Sequence, residues 1–214
     1  MTWGLSAKCA MAIGCIVPAL IAQPGQSGAL QVPSREDALH LGVEVKKRRY
    51  CEGDVEFATM QLQCALRFAN TGRQPVILYR SAGPISKLML AATPDKLRDG
   101  KPEFELLFTE LGEGWRPPNT DRPDRAFAVL KAGQSLRVDR MVAVPFSISG
   151  RRVGAPAPGA YYMQVLVQTW PGNSGQVSEL SARWRRWGQL WTQPITSLPI
   201  PVKIDERPKL QCCE

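Results

Sequence analysis

The residues of this 214-residue chain best suited to chemistry sit near its C-terminal end, where Trp184, Trp187 and Trp191 are interleaved with Arg183, Arg185 and Arg186. Indole faces stack on sugar rings or bases, and guanidinium groups attract anions, so this pattern suits a surface for a glycan or an anionic polymer. The spacing also carries a second meaning. On a helix, residues three apart share a face, so Trp184 and Trp187 could plug the end of a core while Arg185 and Arg186 stay in water. The ligand-binding candidates are therefore Trp184, Arg185, Arg186 and Trp187.

Other reactive constellations are scarce. His40 is the single histidine. It lies within a strand-like run, and neither a two-histidine metal site nor a Gly-x-Ser-x-Gly nucleophile accompanies it. Glu110, Glu113, Asp121 and Asp124 flank a long loop at 112–125. Paired carboxylates there could serve glycoside hydrolysis or hold calcium. Arg116, Arg122 and Arg125 stand among them, however, which suits local ion pairing. With no phosphate-cradling Gly-Lys motif either, the expectation is a non-enzymatic binding protein with no catalytic residue, no metal and no cofactor.

The N-terminus and the cysteines set the expected compartment. Residues 1–8 carry one Lys, and residues 9–22 are uncharged, the layout of a secretory signal peptide. The run is shorter than the roughly 20 apolar residues of a membrane span, and Pro18 interrupts it. Cleavage after Ala22, or alternatively after Ala29, would yield a periplasmic or extracellular protein with no transmembrane span. Ile13-Gly14 before Cys15 leaves lipid attachment as a minor alternative. Removing 1–22 takes one Lys and no acid from a chain of net charge +8, leaving +7. Four cysteines then remain, Cys51, Cys64, Cys212 and Cys213, and an exported chain can pair them.

The basic excess, with runs at 46–49, 151–152 and 183–186, favours anionic lipid headgroups, phosphate-bearing cell-wall polymers or polyanionic glycans, with a protein partner as a further option. Nucleic acid is not expected, since no base-reading motif is present.

The elements that must position these residues read as short strands. After a Gln/Pro/Gly/Ser linker at 23–38, the first strand is Leu39–Arg49. In Thr59–Asn70, Met60, Leu62, Cys64, Leu66 and Phe68 alternate with polar or small residues, so one face belongs to a core. On that face Cys64 serves as a small buried hydrophobe. Further strands are expected at Val76–Arg80, Ile85–Ala92, Phe104–Thr109, Ala126–Leu130, Leu136–Phe146, Tyr161–Trp170 and Leu198–Ile204. Pro199 and Pro201 confine the last to an edge. Ser178–Trp187, with a capping serine, Glu179 in its first turn and Gly188 after it, reads as the one short helix. The fold class expected is all-β, an antiparallel sandwich spanning 39–206 with a C-terminal tail at 207–214.

Gly53-Asp54, Asn70-Thr71-Gly72, Ala132-Gly133-Gln134-Ser135 and Pro158-Gly159-Ala160-Tyr161-Tyr162, in this order between strands, resemble exported bacterial immunoglobulin-like β-sandwich domains. The layout is similar to the intracellular proteinase inhibitor type of sandwich and to several secreted families. The resemblance implies a fold and transfers no site residue. It implies that the first strand runs parallel to the last, which would set Cys51 near the tail and favour a disulfide to Cys212 or Cys213. It also implies an alternative function, a proteinase inhibitor presenting 112–125, a loop stiffened by Pro117, Pro118 and Pro123. In the binding reading, loops 112–125 and 171–176 and the Trp/Arg helix form the contact surface.

Overall fold

The computed structural model describes residues 38–53, 57–80, 85–108, 116–148 and 154–211. The expected leader 1–22 with Cys15, the linker residues 23–37, the basic pair at 151–152, and Cys212 and Cys213 lie outside them. The described residues are mostly β, as the alternating patterns require.

Long alternating strands form the first sheet. β1 (Leu39–Glu52) and β2 (Phe57–Asn70) make an antiparallel hairpin in which Leu39 faces Asn70 and Cys51 faces Thr59. β7 (Ser135–Ser147) takes the other edge of β2, from Phe57 opposite Ser147 to Ala69 opposite Ser135. The central strand thus pairs on both sides, and its period-two pattern decides which side chains are dry. Met60, Leu62, Cys64, Leu66 and Phe68 are each 0% exposed, whereas Gln63 and Arg67 point to water. Burying one such large side chain contributes about 1.5–3 kcal/mol.

A second sheet contains β4 (Ile85–Ala91), β5 (Phe104–Leu107), β8 (Gly159–Val167) and β10 (Ile195–Thr196), in the order β10-β8-β4-β5. β11 (Ile200–Ile204) pairs β8 beyond β10, with Pro201 opposite Tyr162. Its one proline, Pro201, therefore occupies a sheet edge, where a missing N–H breaks no ladder. β3 (Val76–Tyr79), β6 (Phe127–Leu130) and β9 (Gln189–Leu190) form a third sheet, ordered β6-β3-β9.

Two pairs depart from the all-antiparallel arrangement expected of the sheets. β3 and β9 run parallel, and β12 (Leu210–Gln211) lies parallel to β1 with Tyr50 opposite Leu210 and Cys51 opposite Gln211. Both late strands return over long connections, the condition parallel pairing needs. Part of the expected tail at 207–214 is accordingly a strand.

There are two helices among the described residues, not one. α1 (Pro94–Arg98) has Pro at its start and Asp95 in its first turn, where a missing N–H and a negative charge are both favourable. α2 (Ser174–Trp184) begins four residues before the expected Ser178. Asn173 caps it: its side chain accepts from the Gln176 N–H at 3.0 Å, and the Gln176 side chain accepts from the Asn173 N–H at 2.9 Å. The helix ends at Trp184 with Arg185 as its C-cap, and Gly188 follows the turn after it. The φ of Gly188 is +148°, and a Cβ there would stand 2.6 Å from the Pro75 carbonyl oxygen.

The two larger sheets share one core, to which Phe68, Val144 and Phe146 come from the first and Leu88, Leu90, Met163 and Val165 from the second. A separate cluster of Ile77, Phe127, Trp170, Leu180, Trp184 and Leu190 lies under α2. Asn70, 1% exposed, joins the turn after β2 to β6. Its Nδ2 donates to the Gln74 and Leu130 carbonyls at 2.8 Å, and its Oδ1 accepts from the Gly72 N–H at 2.9 Å. Asn70→Ala should cost about 1–3 kcal/mol in urea unfolding, because it strands buried polar groups. Asn70→Asp should not restore the loss, since a carboxylate donates to neither carbonyl.

Candidate functional site

The aromatic–cationic cluster divides into a buried half and an exposed half. Trp184, in the last turn of α2, is 0% exposed. Its ring meets Phe127 edge-on at 4.7 Å between centroids, and its Nε1 donates to the Thr120 carbonyl at 2.8 Å. Trp184 therefore leaves the ligand-binding set: it seals the second core and cannot meet a ligand. Trp191 is also buried, with its Nε1 donating to the Gln193 carbonyl at 2.9 Å. Arg183 is structural as well, bonded to Glu179 at 2.5 Å and to the Pro118 carbonyl at 3.1 Å.

Beyond the helix end the chain turns outward. Arg185 and Arg186 are exposed, and Trp187 is 39% exposed. The Trp187 Nε1 donates to the Asp121 carbonyl at 3.2 Å, and the Arg186 guanidinium sits 5.4 Å from the centre of the Trp187 ring. Asp121, Ala182, Arg183, Arg185 and Arg186 border a shallow hollow of about 610 Å³.

The loop opposite α2 is described from Arg116 onward; Glu110 and Glu113 lie outside the described residues. Its carbonyls at Pro118, Thr120 and Asp121 accept from Arg183, Trp184 and Trp187 in turn, so the segment lies along the helix. Among the described residues of this stretch, Asp121 and Asp124 form no ion pair with Arg116, Arg122 or Arg125. The Asp124 carboxylate accepts from the Ala126 N–H at 2.8 Å, closing a turn. Among the described residues, no carboxylate lies within ion-pair distance of Arg116, Arg122, Arg125, Arg185 or Arg186. The other expected contact loop, 171–176, supplies the α2 cap.

His40 is exposed on β1, opposite Ala69. No group of three His, Cys, Asp or Glu side chains converges among the described residues, and no helix among them is long and apolar enough to cross a membrane. Cys51 is disulfide-bonded. Cys64 is a free thiol facing Val45 across the hairpin; burial pushes its pKa up to about 11.

A further cavity has no counterpart in the sequence motifs. Leu39, His40, Leu41 and Gly42 of β1, Arg67 and Ala69 of β2, and Trp191, Gln193–Thr196 and Leu198 border a groove of about 1070 Å³. Only the topology brings these segments together.

No protein-family model, no curated protein and no solved structure matches this chain.

Two substitutions should separate the tryptophans. Trp184→Ala should lower stability by about 3–5 kcal/mol, and Trp187→Ala by less than about 1 kcal/mol, both read by chemical denaturation. The Cys64 thiol should resist alkylation at pH 8 until the protein unfolds. Because its folded pKa lies above the ordinary value, its contribution to stability holds below about pH 9 and is lost as pH rises toward 11.

Proposed function

We propose that this chain is an exported, non-enzymatic β-sandwich of the immunoglobulin-like type that binds an anionic polymer or glycan of the cell envelope through Arg185, Arg186 and Trp187. One observation carries the reading: two exposed arginines, without an acidic partner among the described residues, immediately precede an exposed indole whose N–H is fixed to Asp121 and whose ring Arg186 meets. A guanidinium can grip phosphate, sulfate or carboxylate with two parallel hydrogen bonds. An anchored indole offers a sugar ring a flat face at little cost in side-chain entropy. The basic excess of the whole chain adds long-range attraction that weakens with salt.

The covalent frame belongs to the same proposal. Cys51 pairs with Cys212 or Cys213, an assignment supported by the parallel alignment of Cys51 with Gln211. Closing a loop of about 160 residues would contribute about 4–5 kcal/mol in the chain-entropy model. Intact mass before and after reduction, on protein from the native host, checks this pairing together with leader cleavage and lipid.

A second reading, the proteinase inhibitor, is favoured by the tethering of Pro118, Thr120 and Asp121 to α2, which pre-organises an exposed loop. A panel of proteases tests it: the absence of inhibition at micromolar protein removes it.

The test of the main proposal is retention on a sulfated-polysaccharide resin. Arg185→Ala/Arg186→Ala/Trp187→Ala should elute at clearly lower salt than Lys47→Ala/Lys209→Ala, which removes the same charge from other exposed positions. Equal elution of the two variants overturns the site.

A further inference from the structure

β1 uses its two edges unequally. One is paired with β2 from Leu39 to Glu52, whereas on the other β12 covers only Tyr50 and Cys51. From Leu39 to Val45 the outer edge has no strand partner among the described residues. The register then shifts between Val45 and Lys47, and such a bulge bends the strand and ends a flat edge. Beyond it, Arg48 is bonded to the Lys203 carbonyl, and the Tyr50 hydroxyl accepts from the Asp205 N–H at 2.8 Å, so the sheets close against each other there. The open part is seven residues long, about 23 Å at strand rise.

The groove of about 1070 Å³ runs beside the first four residues of this open edge, Leu39–Gly42. Leu39, Leu41, Trp191 and Ile195 are its buried floor. Gly42 and Ala69 keep the outer lip low. The facing wall, 193–198, includes β10, which among the described residues pairs only with β8, and it carries Leu198, 78% exposed. A row of unpaired backbone amides and carbonyls is satisfied along its length by another extended backbone, which neither an acyl chain nor a sugar supplies. The ionisable side chains bordering the groove are His40 and Arg67. Arg67 carries the charge: its Nε donates to the Ser135 Oγ at 3.2 Å, which leaves its terminal N–H groups for a carboxylate on the incoming strand, while Glu44, the acid of the open stretch, is paired with Lys46.

We propose that this groove is a strand-addition site for an extended peptide of a partner protein, apolar at alternate positions and carrying an acidic side chain beside Arg67. Backbone pairing to β1 gives the affinity, the floor and Leu198 take the apolar side chains, and Arg67 selects the charge. The site is separate from Arg185, Arg186 and Trp187 and does not depend on them.

The probe is a dye-labelled nine-residue peptide of alternating threonine and valine with one central glutamate, followed by fluorescence anisotropy against the purified chain. Saturable binding is expected, weakened at least tenfold when alternate peptide amides are N-methylated or when glutamate is replaced by lysine. Arg67→Glu should reverse the preference between the two peptides. Leu198→Asp, at an exposed position, should weaken both, with unchanged thermal unfolding as the check on folding. The Arg185→Ala/Arg186→Ala/Trp187→Ala variant should bind as the parent does. No binding at millimolar peptide, equal binding of the N-methylated peptide, or an unaltered preference in Arg67→Glu overturns the proposal. So does a dimer of the free chain, by sedimentation, that Leu198→Asp dissociates, because a second copy then fills the groove.

Discussion

Everything in the larger core hangs on the register of β2. Paired on both sides from Phe57 to Ala69, it sets the positions of β1 and β7 together. A slip of one residue would turn Met60, Leu62, Cys64, Leu66 and Phe68 to water and bring Gln61, Gln63 and Arg67 inside. At about 1.5–3 kcal/mol for each large side chain, that exchange would consume the whole stability expected of a domain this size. The register is in effect unique. It puts Cys51 beside the returning β12, and it sets His40, Gly42, Arg67 and Ala69 on one outer face. Asn70 then carries the order into the third sheet through its contacts with Gln74 and Leu130.

The second core explains why only half of the tryptophan cluster is available to a ligand. Phe127, Trp170 and Leu180 leave a volume that an indole fills, and Trp184 supplies it from the last turn of α2. A buried indole must find an acceptor for its N–H, which the Thr120 carbonyl provides. That bond draws the 116–126 segment onto the helix, and the same segment offers the Asp121 carbonyl to Trp187. The structural tryptophan thus builds the support on which the exposed one is oriented.

What could be read from the residues follows from how much periodic information each element carries. Met60 to Phe68 alternates over nine residues, enough to fix both strand and facing. The helix was legible as a helix, but its start was misplaced: Ser178 has the chemistry of a cap, while Asn173, five residues earlier, forms the capping box with Gln176. Trp184 and Trp187 share helical spacing, yet the helix ends at Trp184, so the spacing no longer predicts where Trp187 points. β9 and β12 are two residues each, too short for any period, and their parallel pairing depends on partners far away in sequence. The groove beside β1 was invisible for the same reason, since its walls are separated by some 150 residues and meet only through the packing of two sheets.

The distribution of charge along β1 bears on the proposed groove. A free edge invites any strand, including those of other copies, and exposed cations and bulges guard such edges. Here the bulge and the run from Lys46 to Arg49 follow the open stretch, while Arg67 and His40 border it. Surrounding basic charge repels a second basic chain at long range and attracts a strand bearing carboxylates. The guard against self-association and the selection of a partner are then one electrostatic device. Its strength falls with ionic strength, whereas the hydrogen bonds of an added strand do not share that dependence. Salt would therefore erode discrimination between acidic and basic peptides before it erased strand addition itself, a behaviour that a purely ionic surface at Arg185 and Arg186 would not display.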